Sequence, residues 1–278
     1  MISPSSVFGK IYYFFIGIIM AICMTFDIPM RAIGKPVDLT GYELVWNDEF
    51  EGDALDTTKW KGHGQDLNGV PRQQYEGAYS CSDALEVKDG YLTISIRKED
   101  GSKPDRPAGW YFASIDSAPG FIGTYGYYEI RAKMAKAKAG NCAFFLNNGA
   151  TMDETLPARY GAEIDIMESM RYGVAHQGSI ENNVHYYDST GHQRLHARWV
   201  IVDGNPYEEF HTYGVKWTNS GYTFYVDGKE CRSTDFGLSH SPEYIVLDIM
   251  MRDFSKTEIY GPTADFLVDY VRVYQSVN

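Results

Sequence analysis

Three carboxylate side chains fall within six residues of this chain. Glu163, Asp165 and Glu168 lie in the run Glu-Ile-Asp-Ile-Met-Glu. In a regular strand side chains alternate between faces, so Glu163 and Asp165 would point together while Glu168 would point away. One extra residue in a β-bulge at Met167 or a neighbour resets that alternation. The spacing therefore predicts a bulged strand with all three acids on one face.

The chemistry that suits such a cluster is glycoside hydrolysis, in which one carboxylate attacks the sugar and a protonated carboxyl donates to the leaving oxygen. Retention of configuration requires carboxyl groups about 5 to 5.5 Å apart, a separation that a bulge between Glu163 and Glu168 can supply. Repulsion between two close carboxylates raises one of their pKa values, and Asp165 is placed to share a proton. A solvated acidic face or a cation site is the alternative. The apolar residues Ile164 and Ile166 favour catalysis, because charges on an apolar strand are costly.

The length and composition of the chain allow one large domain. The chain has 278 residues, of which 44% are hydrophobic and 15% aromatic. This predicts one large β domain with a full core. The net charge of −12 argues against nucleic-acid binding. The 22 tyrosines and 14 phenylalanines suit stacking on sugar rings. We expect a polysaccharide or oligosaccharide substrate and a monomer with no obligate protein partner.

An apolar run covers residues 11–24 after Lys10. It is short for a comfortable membrane span and predicts a signal peptide, with an uncleaved anchor as the alternative. We assign residues 1–30 to this signal peptide or anchor, 31–40 to a linker and 41–276 to the catalytic domain. The expected location is secreted, cell-surface or periplasmic.

The cysteines carry no metal-binding spacing. Cys81, Cys142 and Cys231 would remain after removal of a leader containing Cys23. They allow at most one disulfide and predict buried, inert thiols rather than zinc or redox chemistry.

From Gly41 onward short alternating runs are separated by Gly, Asp, Asn and Pro. Leu92, Ile94 and Ile96 alternate with polar or aromatic neighbours, a pattern typical of a strand with one core face. Asp227-Gly228 between two such runs predicts a tight hairpin. The fold class predicted from these patterns is all-β, an antiparallel β-sandwich.

Several ordered motifs resemble those of glycoside hydrolase family 16. They comprise Leu44 to Phe50, Tyr125 to Met134, Gly161 to Glu168, Phe210 to Trp217 and Val268 to Tyr274. The resemblance implies a jelly-roll sandwich of the concanavalin A type with a concave substrate cleft. It also implies a retaining endo-acting hydrolase of internal β-linkages, with Glu163 as nucleophile, Asp165 as its proton-sharing neighbour and Glu168 as general acid and then base. The six-residue signature is similar to the bulged form of laminarinase, agarase and carrageenase relatives.

One departure from the family pattern bears on the substrate. Laminarinase-like members usually carry Trp-Pro-Ala-Phe-Trp where this chain has Gly140 to Leu146, so Asn141 and Cys142 replace Trp-Pro. A stacking platform for glucose is lost there. We expect Asn141 and Phe145 to contact substrate, with Phe145 as the stacking residue. A β-1,3 or mixed-linkage glucan and a β-galactan, including host-type glycans cut by an endo-β-galactosidase, both remain open.

Other candidate residues are expected near the cleft. His185 resembles the family's active-site histidine and is expected to hydrogen-bond to the acid cluster, with a structural histidine as the alternative. Arg97 and Tyr75 could reach a sugar from the cleft wall, although surface ion pairing and packing explain them equally well. Glu49, Asp269 and the carbonyl of Gly90 resemble ligands of a structural calcium ion. Catalysis itself needs no cofactor.

Two other functions fit the same sequence. A catalytically inactive carbohydrate-binding module would keep the sandwich without turnover. A transglycosylase would pass the covalently held sugar to an acceptor other than water.

Overall fold

A computed structural model describes residues 6–26, 30–151, 153, 155–156, 158–169, 172–173, 177–195, 198–251 and 255–277. The described elements are one α-helix, two short 3₁₀ turns and 22 strands. In chain order they are α1 Val7–Phe26, β1 Met30–Arg31, β2 Tyr42–Asp48, β3 Lys61–Gly62, β4 Arg72–Tyr75, β5 Ala78–Ser80, the turn Ser82–Ala84, β6 Leu85–Lys88, β7 Tyr91–Glu99, β8 Gly109–Phe112, β9 Ser114–Asp116, β10 Gly126–Lys133, β11 Ala137–Lys138, β12 Gly140–Asn147, the turn Ala158–Tyr160, β13 Glu163–Ser169, β14 Ser179–Asp188, β15 Gly191–Arg194, β16 Arg198–Ile201, β17 His211–Thr218, β18 Gly221–Val226, β19 Lys229–Thr234, β20 Tyr244–Met251, β21 Glu258–Ile259 and β22 Thr263–Ser276.

Two large sheets form the predicted sandwich. The first, the cleft sheet, has the order β1-β16-β14-β13-β12-β20-β9-β3, with β15 paired to β14. The second has the order β19-β18-β17-β10-β22-β7-β8-β5-β4, with β2 paired to β22 and β6 to β7. Nearly all of the pairings are antiparallel, the exceptions being β1 with β16 and β5 with β8. The all-β prediction is confirmed.

The core lies between the sheets and is filled by alternate residues of each strand. Leu92, Ile94 and Ile96 of β7 are fully buried, as their alternation predicts. From the cleft sheet, Phe144 and Ile164 join the same cluster. Because successive side chains point to opposite faces, the residues between them face away from the core. This alternation turns the other side chains of the cleft sheet toward the face opposite the core.

The predicted hairpin joins β18 to β19. Asp227 and Gly228 have φ values of 48° and 67°. Positive φ at both central residues is what the hairpin turn matching strand twist requires.

The segment predicted as a linker, residues 31–40, is attached to the domain along much of its length. Met30 and Arg31 pair in parallel with Val200 and Ile201 of β16. Further along, the Gly34 amide donates to the Glu230 carbonyl over 2.9 Å. Composition alone does not reveal this backbone pairing, and the assignment of residues 31–40 as a linker remains a prediction.

The apolar run of residues 11–24 lies within the helix α1. Ile16 and Met20 pack on Met30, whereas Phe8, Phe14 and other large apolar side chains of this helix are exposed. Within the described ranges, no helix has the length and apolarity needed to cross a membrane. Residues 1–5 and 27–29 of the predicted leader lie outside the described residues.

The three cysteines predicted to be inert are buried and unbridged. Burial raises the pKa of Cys142 and of Cys231 to about 12, so both stay protonated thiols.

Candidate active site

The bulge predicted in the acidic strand is present in β13. On the β14 side Asp165 pairs with Asn183 and Glu168 with Glu181, so three steps along β13 match two along β14. The pairing with β12 shifts at the same place, where Met167 lies opposite Phe144 and Asp165 opposite Phe145.

Two consecutive residues absorb this bulge by facing the same way. Ile166 and Met167 are both fully buried in the core. Glu168 consequently returns to the face of Asp165 and lines the cleft with it. The two carboxylates are 6% and 3% exposed, respectively, so substrate would meet them in a largely desolvated groove.

The bulge is held from the core side by Asn182. Its Nδ2 donates to the carbonyl of Ile166 over 2.5 Å, which satisfies a backbone group that a bulge removes from the ladder. Asn182 is fully buried, and its own carbonyl accepts from Arg232 of β19 over 3.0 Å. The second sheet thereby helps to fix the position of the bulge.

One half of the acid cluster centres on Asp165. Oxygens of Glu163 and Asp165 and a nitrogen of His185 all lie within 4.8 Å of one another. His185 Nε2 is 3.1 Å from Asp165 Oδ2, the contact predicted for this histidine. The opposite ring nitrogen, Nδ1, lies 2.9 Å from Nε2 of His192, whose ring stacks on that of His185. These groups could share a proton or hold a cation.

The other half of the cluster is built from asparagines that sequence reasoning did not single out as partners of the acids. Asn147 Nδ2 donates to Glu163 Oε2 over 3.1 Å. Asn141 and Asn183 donate to the two oxygens of Glu168. Their only sequence signal is position, since each lies on a strand beside β13 at a residue that faces the cleft.

Asn141 was predicted to contact substrate, but its side chain is 1% exposed and is directed to Glu168. Phe145 lies opposite Asp165 on the cleft face and is partly exposed, as a stacking residue must be. The His63 ring meets it edge-on at 6.4 Å and lies 5.9 Å from the ring of Tyr244. These two rings extend the aromatic lining beyond what the sequence suggested.

The structure does not bring Arg97 to the acids. Its guanidinium pairs with Asp83 at 2.6 Å and with Glu99 at 3.0 Å, the ion-pairing alternative. Tyr75 ends the edge strand β4 of the second sheet and is 52% exposed. Direct contact of either residue with a sugar remains a prediction.

The predicted calcium ligands are engaged by arginines. Glu49 accepts two hydrogen bonds from Arg272, at 2.9 and 2.8 Å, and Asp269 accepts one from Arg131 at 2.5 Å. A guanidinium therefore pairs with each of these two carboxylates. Gly90 occupies the turn between β6 and β7. Calcium binding remains a prediction.

Comparison with known proteins finds a matching family model and several relatives. A family model described as β-porphyranase A–D, GH16 domain, matches residues 44–276. Glucan endo-1,3-β-glucosidase A1 of Niallia circulans is 27% identical over 71% of this chain and 30% of its own length. β-Porphyranase E of Zobellia galactanivorans is 26% identical over 66% of this chain and 65% of its own length. The chain thus spans less than two thirds of either relative.

Solved structures show the same fold. The endo-β-1,3(4)-glucanase SCLam superposes with a TM-score of 0.67 at 25% identity, covering 89% of this chain and 96% of that one. LamAcat from Zobellia galactanivorans gives 0.66 at 26% identity over 84% and 97%. With the family model matching most of its length, the chain belongs to glycoside hydrolase family 16.

Proposed function

We propose that this chain is a retaining endo-hydrolase of a β-linked, galactose-containing polysaccharide. The bulge in β13 carries the proposal, because it puts Glu163, Asp165 and Glu168 on one face of the cleft sheet. Without the extra residue Glu168 would point into the core. The sugar would then meet Glu163 and Asp165 but would lack Glu168 as the general acid.

In the first step of the proposed reaction, Glu163 attacks the anomeric carbon and forms a glycosyl ester. The bond to the leaving oxygen breaks, and Glu168 gives that oxygen its proton. In the second step a water attacks the same carbon, Glu168 takes the water's proton, and the ester to Glu163 breaks. Configuration is retained because two inversions occur at one carbon.

Asp165 and His185 support the nucleophile. At 3.1 Å from Asp165, His185 fixes the orientation of that carboxylate beside Glu163. Asn147 lies on β12, on the other side of β13 from His185, and donates a hydrogen bond to Glu163. Both contacts limit rotation of the attacking group, which keeps it near the geometry of attack.

A galactose-containing substrate is supported by three observations. The description of the matching family model names β-porphyranases. The relatives include β-porphyranase B, a keratan-sulfate endo-1,4-β-galactosidase and a κ-carrageenase. At the position where laminarinase-like members place a tryptophan, Asn141 is turned toward Glu168. The cleft therefore lacks one flat aromatic platform on which a glucose ring, with its equatorial hydroxyl groups, could stack.

A β-1,3 or mixed-linkage glucan is the second candidate. The glucanase of Niallia circulans and the structure of SCLam favour it. In that case Phe145, with the rings of His63 and Tyr244 beside it, would replace the missing platform.

Incubation of the protein with porphyran, agarose, κ-carrageenan, keratan sulfate, laminarin and mixed-linkage glucan tests the substrate. Endo action on a galactan gives mid-sized oligosaccharides early in the reaction, and cleavage of the two glucans alone would refute the galactan assignment. Early NMR spectra of the products report the anomer. A first product with inverted configuration would exclude the retaining mechanism, and products longer than the starting chains would indicate a transglycosylase.

Variants locate the chemistry. Glu163→Gln and Glu168→Gln should each lower turnover by at least about 10²-fold while leaving the melting temperature unchanged. Glu51→Gln, an exposed glutamate outside the cleft sheet, serves as the control. Full activity of either cleft variant would contradict the assigned roles, and absence of turnover in the wild type on all the glycans would favour an inactive binding module.

The proposal also includes export and a monomeric state. It is supported by the apolar helix α1 ahead of the domain and by the acidic surface implied by the net charge of −12. Cell fractionation and light scattering test the two points separately.

A further inference from the structure

Glu168 is held from both sides by amides. Asn141 of β12 lies 2.9 Å from Oε1, and Asn183 of β14 lies 3.2 Å from Oε2. In both contacts the side-chain Nδ2 donates to the carboxyl group. The asparagines are 1% and 0% exposed, so this pair, the amide clamp, is out of reach of solvent.

The strand register explains how the amide clamp reaches Glu168. The residue opposite Glu168 on β12 is Ala143, which has only a methyl group. That small side chain leaves space for Asn141, two residues away on the same face, to reach across the diagonal. On β14 the residue opposite Asp165 is Asn183, and it approaches Glu168 along the other diagonal.

Each amide of the clamp also has an oxygen to spare. Oδ1 of Asn141 and Oδ1 of Asn183 are buried, and the described part of the chain supplies no hydrogen-bond partner for either. A buried acceptor without a donor costs free energy, so its presence beside a group that gains and loses a proton is informative. An amide rotated by half a turn exchanges its N–H donors for this oxygen.

We propose that Asn141 and Asn183 are positioning residues that hold Glu168 in both of the protonation states it passes through. With the carboxylate, both amides donate N–H groups, as the structure shows. With the carboxylic acid, one amide rotates and its Oδ1 accepts the acid's O–H until the glycosidic oxygen of a substrate replaces it as acceptor, while the other amide continues to donate. Neither state leaves Glu168 without two hydrogen bonds.

This inference rests on the proposed function, in which Glu168 is an acid in the first step and a base in the second. The clamp keeps the carboxyl group aimed at the glycosidic oxygen at the moment of proton transfer. A displacement of about 1 Å in a reacting group can cost about 10²-fold in rate. Asn147 differs from the clamp, since its Nδ2 donates to the nucleophile Glu163 and its Oδ1 already accepts from the Thr151 hydroxyl over 2.7 Å.

The test compares two substrates that differ in their need for an acid. Porphyran requires protonation of the leaving oxygen, whereas a dinitrophenyl β-galactoside oligosaccharide releases a phenolate that needs no proton. The comparison uses kcat/KM, which reports the first step, for the wild type, Asn141→Ala, Asn183→Ala, their double variant, Glu168→Gln and the matched control Asn147→Ala. Circular dichroism and thermal melting verify that each variant folds.

The double variant should lose about 10²-fold in kcat/KM on porphyran and less than about threefold on the dinitrophenyl substrate. Added azide, a nucleophile that needs no base, should restore its kcat on the dinitrophenyl substrate. Asn147→Ala should lower both kcat/KM values equally, because both substrates need the nucleophile.

Equal losses on the two substrates in the double variant, or no loss on porphyran, would overturn the amide clamp. The same is true if Asn147→Ala reproduces the difference between the substrates. Glu168→Gln separates this failure from that of the proposed function. If Glu168→Gln itself loses equally on both substrates, or if the wild type cleaves neither, the proposed function falls and the clamp falls with it.

Discussion

Replacing the buried carboxyl group of Glu243 by an amide should change how stability depends on pH. Glu243 is 0% exposed and precedes β20. Its Oε1 accepts from the Ser239 hydroxyl over 2.7 Å and from the Ala162 amide over 3.3 Å. Burial raises its pKa from the usual 4.5 to about 8. The carboxyl group is therefore neutral in the folded protein at pH 7.

The sign of the effect follows from proton binding. Between pH 4.5 and pH 8 the folded state keeps the proton of Glu243 and the unfolded state releases it, so rising pH favours unfolding. The stability contribution is fully present below pH 4.5 and is lost as pH rises through 8. A difference of about 3.5 pH units at 1.36 kcal/mol per unit corresponds to roughly 5 kcal/mol. A glutamine keeps the acceptor oxygen and never ionises, so it avoids this loss.

Urea unfolding of the wild type and Glu243→Gln at pH 4, 6 and 9 measures the difference. We expect similar free energies of unfolding at pH 4 and a gap that widens in favour of the variant up to about 5 kcal/mol at pH 9. Glu51→Gln, at an exposed position, controls for the general loss of one acid. If the wild type and Glu243→Gln give parallel curves across this range, the buried carboxyl group does not behave as argued.

Three further outcomes are expected. Asn182→Ala removes the donor to the Ile166 carbonyl and should cost about 1 to 3 kcal/mol in urea unfolding; porphyran hydrolysis should fall by more than the loss of folded protein explains, and unchanged activity would show that the bulge holds without it. His185→Ala should lower kcat on porphyran by about tenfold or more through loss of the contact to Asp165, with His240→Ala, outside the cleft sheet, as the control. Thiol reagents should label Cys142 and Cys231 only after denaturation, and peptide mass spectrometry of native protein showing either one labelled would contradict their burial.

The features that the sequence predicted well are those encoded within single strands. Alternation in β7 identified its core face because Leu92, Ile94 and Ile96 repeat with the period of two that a strand imposes. The bulge was predictable because the spacing from Asp165 to Glu168 has the wrong parity for one face. Asp227-Gly228 predicted the hairpin turn because few other residue pairs tolerate positive φ at both central positions of the turn.

The features that the sequence did not predict depend on which strands are neighbours. The contact of Arg97 with Asp83 joins residues 14 apart, and that of Asn141 with Glu168 residues 27 apart. Arg97 was predicted to reach the cleft because the sequence of an alternating strand does not show which acidic residue its arginine pairs with. The attachment of residues 31–40 to β16 and Glu230 is equally invisible, since backbone pairing at a sheet edge leaves little trace in composition.

The two asparagines that follow Glu181 show that the geometry of the site depends on more than its three acids. Strand alternation sends Asn182 into the core, where it binds the Ile166 carbonyl, and Asn183 into the cleft, where it binds Glu168. These two adjacent residues of β14 thus contact the bulge itself, at Ile166, and Glu168, which the bulge brings into the cleft. Deleting or inserting one residue in this part of β14 would exchange their faces. The carboxyl group would then lose its amide and the bulge its donor together, so we infer that the acid signature functions only with a matched neighbour strand.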